Sequence, residues 1–67
     1  MKKELFKEYV KETKADKSLD SELRAQKVEA MQVAQDFGYP QSVFNDILQA
    51  MTIARLNTVM HSAMQYI

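Results

Sequence analysis

Apolar residues recur along this chain at three- and four-residue intervals, the spacing that gathers side chains on one face of an α-helix. Leu5, Phe6, Tyr9, Val10 and Thr13 form one such stripe and predict a first helix over about residues 2–15. Its other side carries two charge rows, Lys3, Lys7, Lys11 and Glu4, Glu8, Glu12, Asp16, in which Glu4–Lys7 and Glu8–Lys11 are placed to attract. The segment Asp16 to Ser21 (DKSLDS) is rich in cap residues; Ser18 or Asp20 can accept the free amides of the next helix, and Glu22 suits its positive end. A calcium loop is excluded there, because its sharp turn needs a glycine where Ser21 stands. A second helix is predicted over about 21–37, with Leu23, Ala30, Met31, Ala34 and Phe37 on its core face and Val28 and Val33 beside them.

The clearest boundary is Phe37-Gly38-Tyr39-Pro40. Glycine can take the left-handed conformation that ends a helix, and proline cannot continue one but suits the start of the next. Beyond it, Val43, Phe44, Ile47, Leu48, Met51 and Ala54 keep helical spacing, as do Val59, Met60, Ala63, Met64 and Ile67. These predict helices over about 41–56 and 58–66, with Asn57 ending the one and Thr58 capping the other; a single bent helix over 42–66 is the other solution. The fold class is therefore all-α, a single domain over 1–67 built as a compact bundle of three to four helices with a helix-turn-helix-like turn at Gly38-Pro40.

Composition narrows the chemistry. The chain has 67 residues, too few for more than one small core, and no cysteine, so it has neither disulfide nor thiolate. One glycine leaves no phosphate-cradling loop, and no signal-peptide core or membrane span is visible, which suggests a soluble cytoplasmic protein. His61 is the only histidine, and its helical neighbours Asn57, Thr58, Met64 and Gln65 offer no carboxylate to activate it. No catalytic residue, cofactor or metal is expected.

The turn invites a sharper reading. Within VAQDFGYPQSVFNDIL, Ala34 supplies a small residue where two helices cross, Gly38 the turn, and Phe37, Tyr39, Phe44 and Ile47 the apolar positions. This string (about residues 33–48) resembles the helix-turn-helix of Cro-type phage repressors, with Ala34, Asp36, Gly38, Gln41, Ser42 and Asn45 among the matching letters. The resemblance implies a DNA-binding transcriptional regulator in which Gln41, Ser42 and Asn45 approach bases and phosphates. Charge speaks for the geometry without the DNA. Residues 1–27 hold eight basic and six acidic residues, whereas Val28 to Ala54 hold Glu29, Asp36 and Asp46 and no cation at all. Phosphate neutralisation carries most DNA affinity. The spacing of Met31, Ala34, Phe37, Gly38 and Tyr39 also looks like the apolar-Gly-aromatic loop of ubiquitin-associated domains, which bind protein and need no positive charge.

From Gln41 onward only Asp46 and Arg55 are charged, and two short amphipathic helices can cover only part of such a region. The reading is a small non-enzymatic helical regulator or inhibitor that acts through protein–protein interaction. Its partner is another protein chain, most simply a second copy in a homodimer, and nucleic acid is disfavoured by charge. The expected interface comprises Tyr39, Phe44, Ile47, Leu48, Met51, Met60, Met64 and Tyr66.

Overall fold

A computed structural model describes residues 2–66, the side chain of Tyr66 excepted. The order is α1 (Lys3–Ala15), α2 (Ser21–Asp36), α3 (Gln41–Gln49) and α4 (Ile53–Ala63), closed by a short 3₁₀ turn, Met64–Tyr66. This is the predicted all-α bundle, with four helices and no strand among the described residues.

α1 buries Tyr9 and Thr13, with Phe6 and Val10 half-buried beside them. Glu4 in its first turn and Lys14 in its last complement the helix dipole. The pairs Glu4–Lys7 and Glu8–Lys11, predicted to attract, close no hydrogen bond or ion pair among the described residues, because solvent screens exposed charges on a helix surface. At the end of α1 the Asp16 carboxylate accepts from the Ser18 amide at 3.0 Å and the Ser18 hydroxyl at 2.6 Å. These two bonds hold the Asp16 carboxyl below its usual range. Asp20, rather than Ser18, caps α2, accepting the Leu23 amide at 2.8 Å. The connector also carries a core residue that periodicity could not reveal, the buried Leu19.

α2 buries Leu23, Lys27, Ala30, Met31 and Ala34, so a lysine occupies a place in the apolar stripe. Phe37, expected to extend that stripe, is 65% exposed. The reason is the turn. Gly38 has φ +70°, its amide bonds to the Gln35 carbonyl at 3.2 Å, and the Tyr39 amide bonds to Ala34 at 2.9 Å. That is the Schellman closure, and its hydrophobic clasp is between Tyr39 and Ala34, both buried. The chain thus turns Tyr39 inward and leaves Phe37 outside, with the two rings edge-on at 5.8 Å. A Cβ on Gly38 would meet nothing within 4 Å, so backbone conformation alone calls for glycine here.

α3 buries Val43, Phe44 and Ile47, and α4 buries Leu56, Val59 and Ala63. Phe44 is the hub: Phe6 meets it edge-on at 6.3 Å and Tyr9 at 5.7 Å. The joint between these helices lies at Ala50–Thr52, not at Asn57–Thr58 as predicted. Ala50 is extended and fully buried, and Thr52 is the true cap, accepting the Arg55 amide at 3.1 Å. Thr58 lies inside α4 and donates back to the Ala54 carbonyl at 3.1 Å. The last carbonyls of α3 receive an unusual partner: Lys27 Nζ donates to the Leu48 oxygen at 2.7 Å from a residue only 1% exposed. Burial holds the Lys27 ammonium below the ordinary lysine value, and attraction to Asp16 opposes part of that shift.

Candidate functional site

The expected interface residues separate into two groups. Tyr39, Phe44 and Ile47 are buried within the single chain and form its core, so none of them offers a free surface. Their apolar spacing is the same whether a helix faces its own neighbours or a partner, which is why periodicity could not tell the two apart. Leu48 and Met60 are half-buried against that core. Met51 and Met64 are open to solvent, 56% and 61% exposed. The Tyr66 side chain lies outside the described residues.

Leu5, Val33 and Phe37, placed by spacing on or beside the core faces of the first two helices, are exposed, as is Ile53. Helix geometry shows how these relate to the methionines. On α2, Ser21, Ala25, Val28 and Gln32 line clefts on one side, and Val28 and Gln32 face α1 there. At about 100° per residue, Val33 lies roughly a third of a turn from them, and Phe37, at the C-cap, somewhat farther round. On α4, Arg55, Thr58 and Ser62 line a cleft of about 410 Å³ shared with Val43 and Asp46 of α3. Ile53, Met60 and Met64 lie about half a turn from those, facing away from α3. α4 also packs on α2. Val59, Ser62 and Ala63 reach Val43 at the start of α3, so the end of α4 returns to the level of the Gly38 turn. Helix phase thus turns Val33 and Phe37 to one flank of α2, and Ile53, Met60 and Met64 to one flank of α4. Val33, Phe37, Met60 and Met64 are themselves uncharged, while the exposed carboxylates Glu29 and Asp36 stand four residues before and three residues after Val33 on α2; Asp46 and Arg55, the only charges after Gln41, both line the cleft on the other side of α4.

The residues implied by the repressor resemblance are differently placed. Gln41, Ser42 and Asn45 are solvent-exposed on the first turns of α3. Two of them are already engaged: the Tyr9 hydroxyl donates to Asn45 Oδ1, and Gln41 Nε2 donates to the same hydroxyl at 3.3 Å. α3 itself has no cation. Cations lie elsewhere: Lys7, Lys11 and Lys14 border clefts between α1 and α2, together with Arg24, whose guanidinium donates to the Asp16 carbonyl at 3.2 Å.

His61 is exposed on α4 with no hydrogen-bond partner among the described residues. Among those residues no group of three or more His, Cys, Asp or Glu side chains could hold a metal ion. No described helix is long and apolar enough to cross a membrane. Comparison with protein families, with curated proteins and with solved structures finds no match to this chain.

Proposed function

We propose that this chain is a small non-enzymatic interaction module that pairs with a second copy of itself through the apolar side chains of Val33, Phe37, Met60 and Met64. The observation that carries the reading is the solvent exposure of the large apolar side chains Phe37 and Met64 on two helices that pack together. A two-fold interface sets a patch against itself, so any net charge on it would be repelled by its own copy. The four apolar side chains themselves bring no such repulsion, with the carboxylates Glu29 and Asp36 at their rim, whereas the cation-bordered side of α2 sets four cations against their copies. A stable interface removes about 800 Å² per partner. That is about a sixth of the 4625 Å² this chain exposes, within reach of one flank of two helices. Methionine, flexible and polarizable, suits such a face. A regulator or inhibitor of this kind works by occupying a surface.

Sedimentation at micromolar concentration tests the reading: a species heavier than 7.8 kDa is expected. The double substitution Phe37→Glu with Met64→Glu should return it to a monomer that still unfolds cooperatively by circular dichroism, at the melting temperature of wild type diluted to monomer, because both side chains are exposed in the single chain. A wild-type chain that stays monomeric at ten times that concentration overturns the proposal. The alternative, a Cro-like DNA-binding regulator using Gln41, Ser42 and Asn45, draws support from the Schellman turn between α2 and α3. It requires affinity for random duplex DNA that falls steeply with salt. No binding at low salt is expected, since α3 has no cation and Tyr9 occupies Gln41 and Asn45.

A further inference from the structure

The flank of α2 that faces α1 carries a second surface of different chemistry. Two clefts, of about 700 Å³ and 590 Å³, run together along the α1–α2 seam and share Lys14, Val28 and Gln32. Phe6, Val10 and Val28 supply an apolar floor. Lys7, Lys11 and Lys14 stand along one edge, at the spacing that stacks side chains on one helix face, and Arg24 closes the end. Glu29 is the only carboxylate in the lining of either cleft. Glu4, Glu8 and Glu12 are exposed on the far side of the lysine row and line neither cleft. Among the described residues Lys7, Lys11 and Lys14 make no ion pair or side-chain hydrogen bond.

We propose that this groove is a docking site for an acidic amphipathic helix of a partner protein, whose apolar side chains fill the floor while its carboxylates meet Lys7, Lys11, Lys14 and Arg24. Charge complementarity selects that occupant. A cationic edge with one carboxylate repels a second copy of itself and attracts acids, with each exposed pair adding modestly to affinity and more to encounter rate. The apolar floor selects further. A nucleic-acid backbone brings phosphates but nothing to cover Phe6, Val10 and Val28, and a flat lipid surface does not enter a concave seam. A helix does both, laying an apolar row into the seam with acids on its flanks. The eight residues from Lys7 to Lys14 span about two helical turns, or roughly 10 Å, which matches a short helical segment. This site lies on a different flank of α2 from Val33 and Phe37 and stands whether or not the chain dimerises.

The test is an amide-resolved NMR titration of the full chain with a synthetic Leu/Glu amphipathic peptide. A Leu/Lys peptide of the same pattern, random duplex DNA and anionic phospholipid vesicles serve as controls. Saturable shifts are expected around Lys7, Lys11, Lys14, Val28 and Gln32, with the acidic peptide alone. Lys7→Glu with Lys11→Glu should weaken binding at least about tenfold, since both side chains are exposed and their reversal turns attraction into repulsion. Lys17→Glu, exposed and outside the groove, should leave it within about twofold. Equal binding of the Leu/Lys peptide, shifts centred on Phe37 and Met64, or no saturable shift would each overturn the proposal. Tighter engagement of the same residues by DNA or vesicles would assign the groove to that other class and overturn it equally. Shifts confined to Phe37 and its neighbours would leave the self-association reading standing while removing this one.

Discussion

The two flanks of α2 make the most instructive contrast in this molecule. One faces α1 across a groove edged with lysines; the other, roughly a third of a turn or more away, exposes Val33 and Phe37. Along the sequence the same division is one of position: the first 27 residues are rich in cations, and the next 27 have none. Folding converts that division along the chain into a division across one helix. The last cation before the cation-free run, Lys27, lies on neither flank. It is drawn into the buried line between them, where its ammonium closes the end of α3. A net charge of zero thus conceals two surfaces with opposite requirements of a partner.

The sharpest way to break the contrast is at the core that supports both flanks. Phe44→Ala should cost about 3–5 kcal/mol through lost burial and the cavity left behind. A chain of this size rarely has more than about 3–5 kcal/mol in hand, so the variant should show no cooperative melt by circular dichroism. Phe37→Ala, measured where the chain is dilute enough to be monomeric, removes the same ring from a 65% exposed position and should cost about 1 kcal/mol or less, chiefly the edge-on contact with Tyr39. Equal losses at the two positions under that dilution would mean that Phe37 is part of the core of the single chain.

Lys27 comes next. Lys27→Ala removes a buried stem and leaves the Leu48 carbonyl without its donor, a loss of about 2–4 kcal/mol. Lys27→Met keeps most of the stem and no longer buries a charge, so about 1 kcal/mol or less is expected. The two are separable by urea unfolding. pH adds a second signature. Burial lowers the lysine's proton affinity in the folded chain, so between that lowered value and the ordinary 10.5 the unfolded chain binds more protons. Wild-type stability should therefore rise through that window relative to Lys27→Met. A constant difference between the two across it would mean that the ammonium stays charged and well solvated.

Much of this fold was legible because its signals are local. The stripe from Leu5 to Thr13, the cap residues before α2 and the Gly38 turn each act within a few residues, and the helices form where those signals place them. What was not legible depends on partners distant in the chain. Lys27 reads as a surface charge until the end of α3 is brought against it, twenty-one residues later. Phe44 and Met64 occur at similar spacing in a charge-poor region, and only the arrangement of helices decides that one is the hub of the core and the other is open to solvent. The same holds for Asn45, whose amide looks free to meet a base until Tyr9 of α1 is placed beside it.

The joint between α3 and α4 gives the smallest effect. Asn57–Thr58 and Ala50–Thr52 both offer a threonine that can cap a helix, and spacing alone favoured the former. In the fold Thr52 accepts the Arg55 amide, while Thr58 donates back to Ala54 within an unbroken helix. Thr52→Ala should therefore cost about 1 kcal/mol, as the loss of a helix cap does. Thr58→Ala should be neutral or stabilising by a few tenths of a kcal/mol, because alanine is the better helix former and threonine back-bonding slightly strains a helix. Thermal melts of the two variants decide between the joints. The reverse order, with Thr58→Ala the costlier, would place the break at Asn57 and lengthen α3 by about two turns.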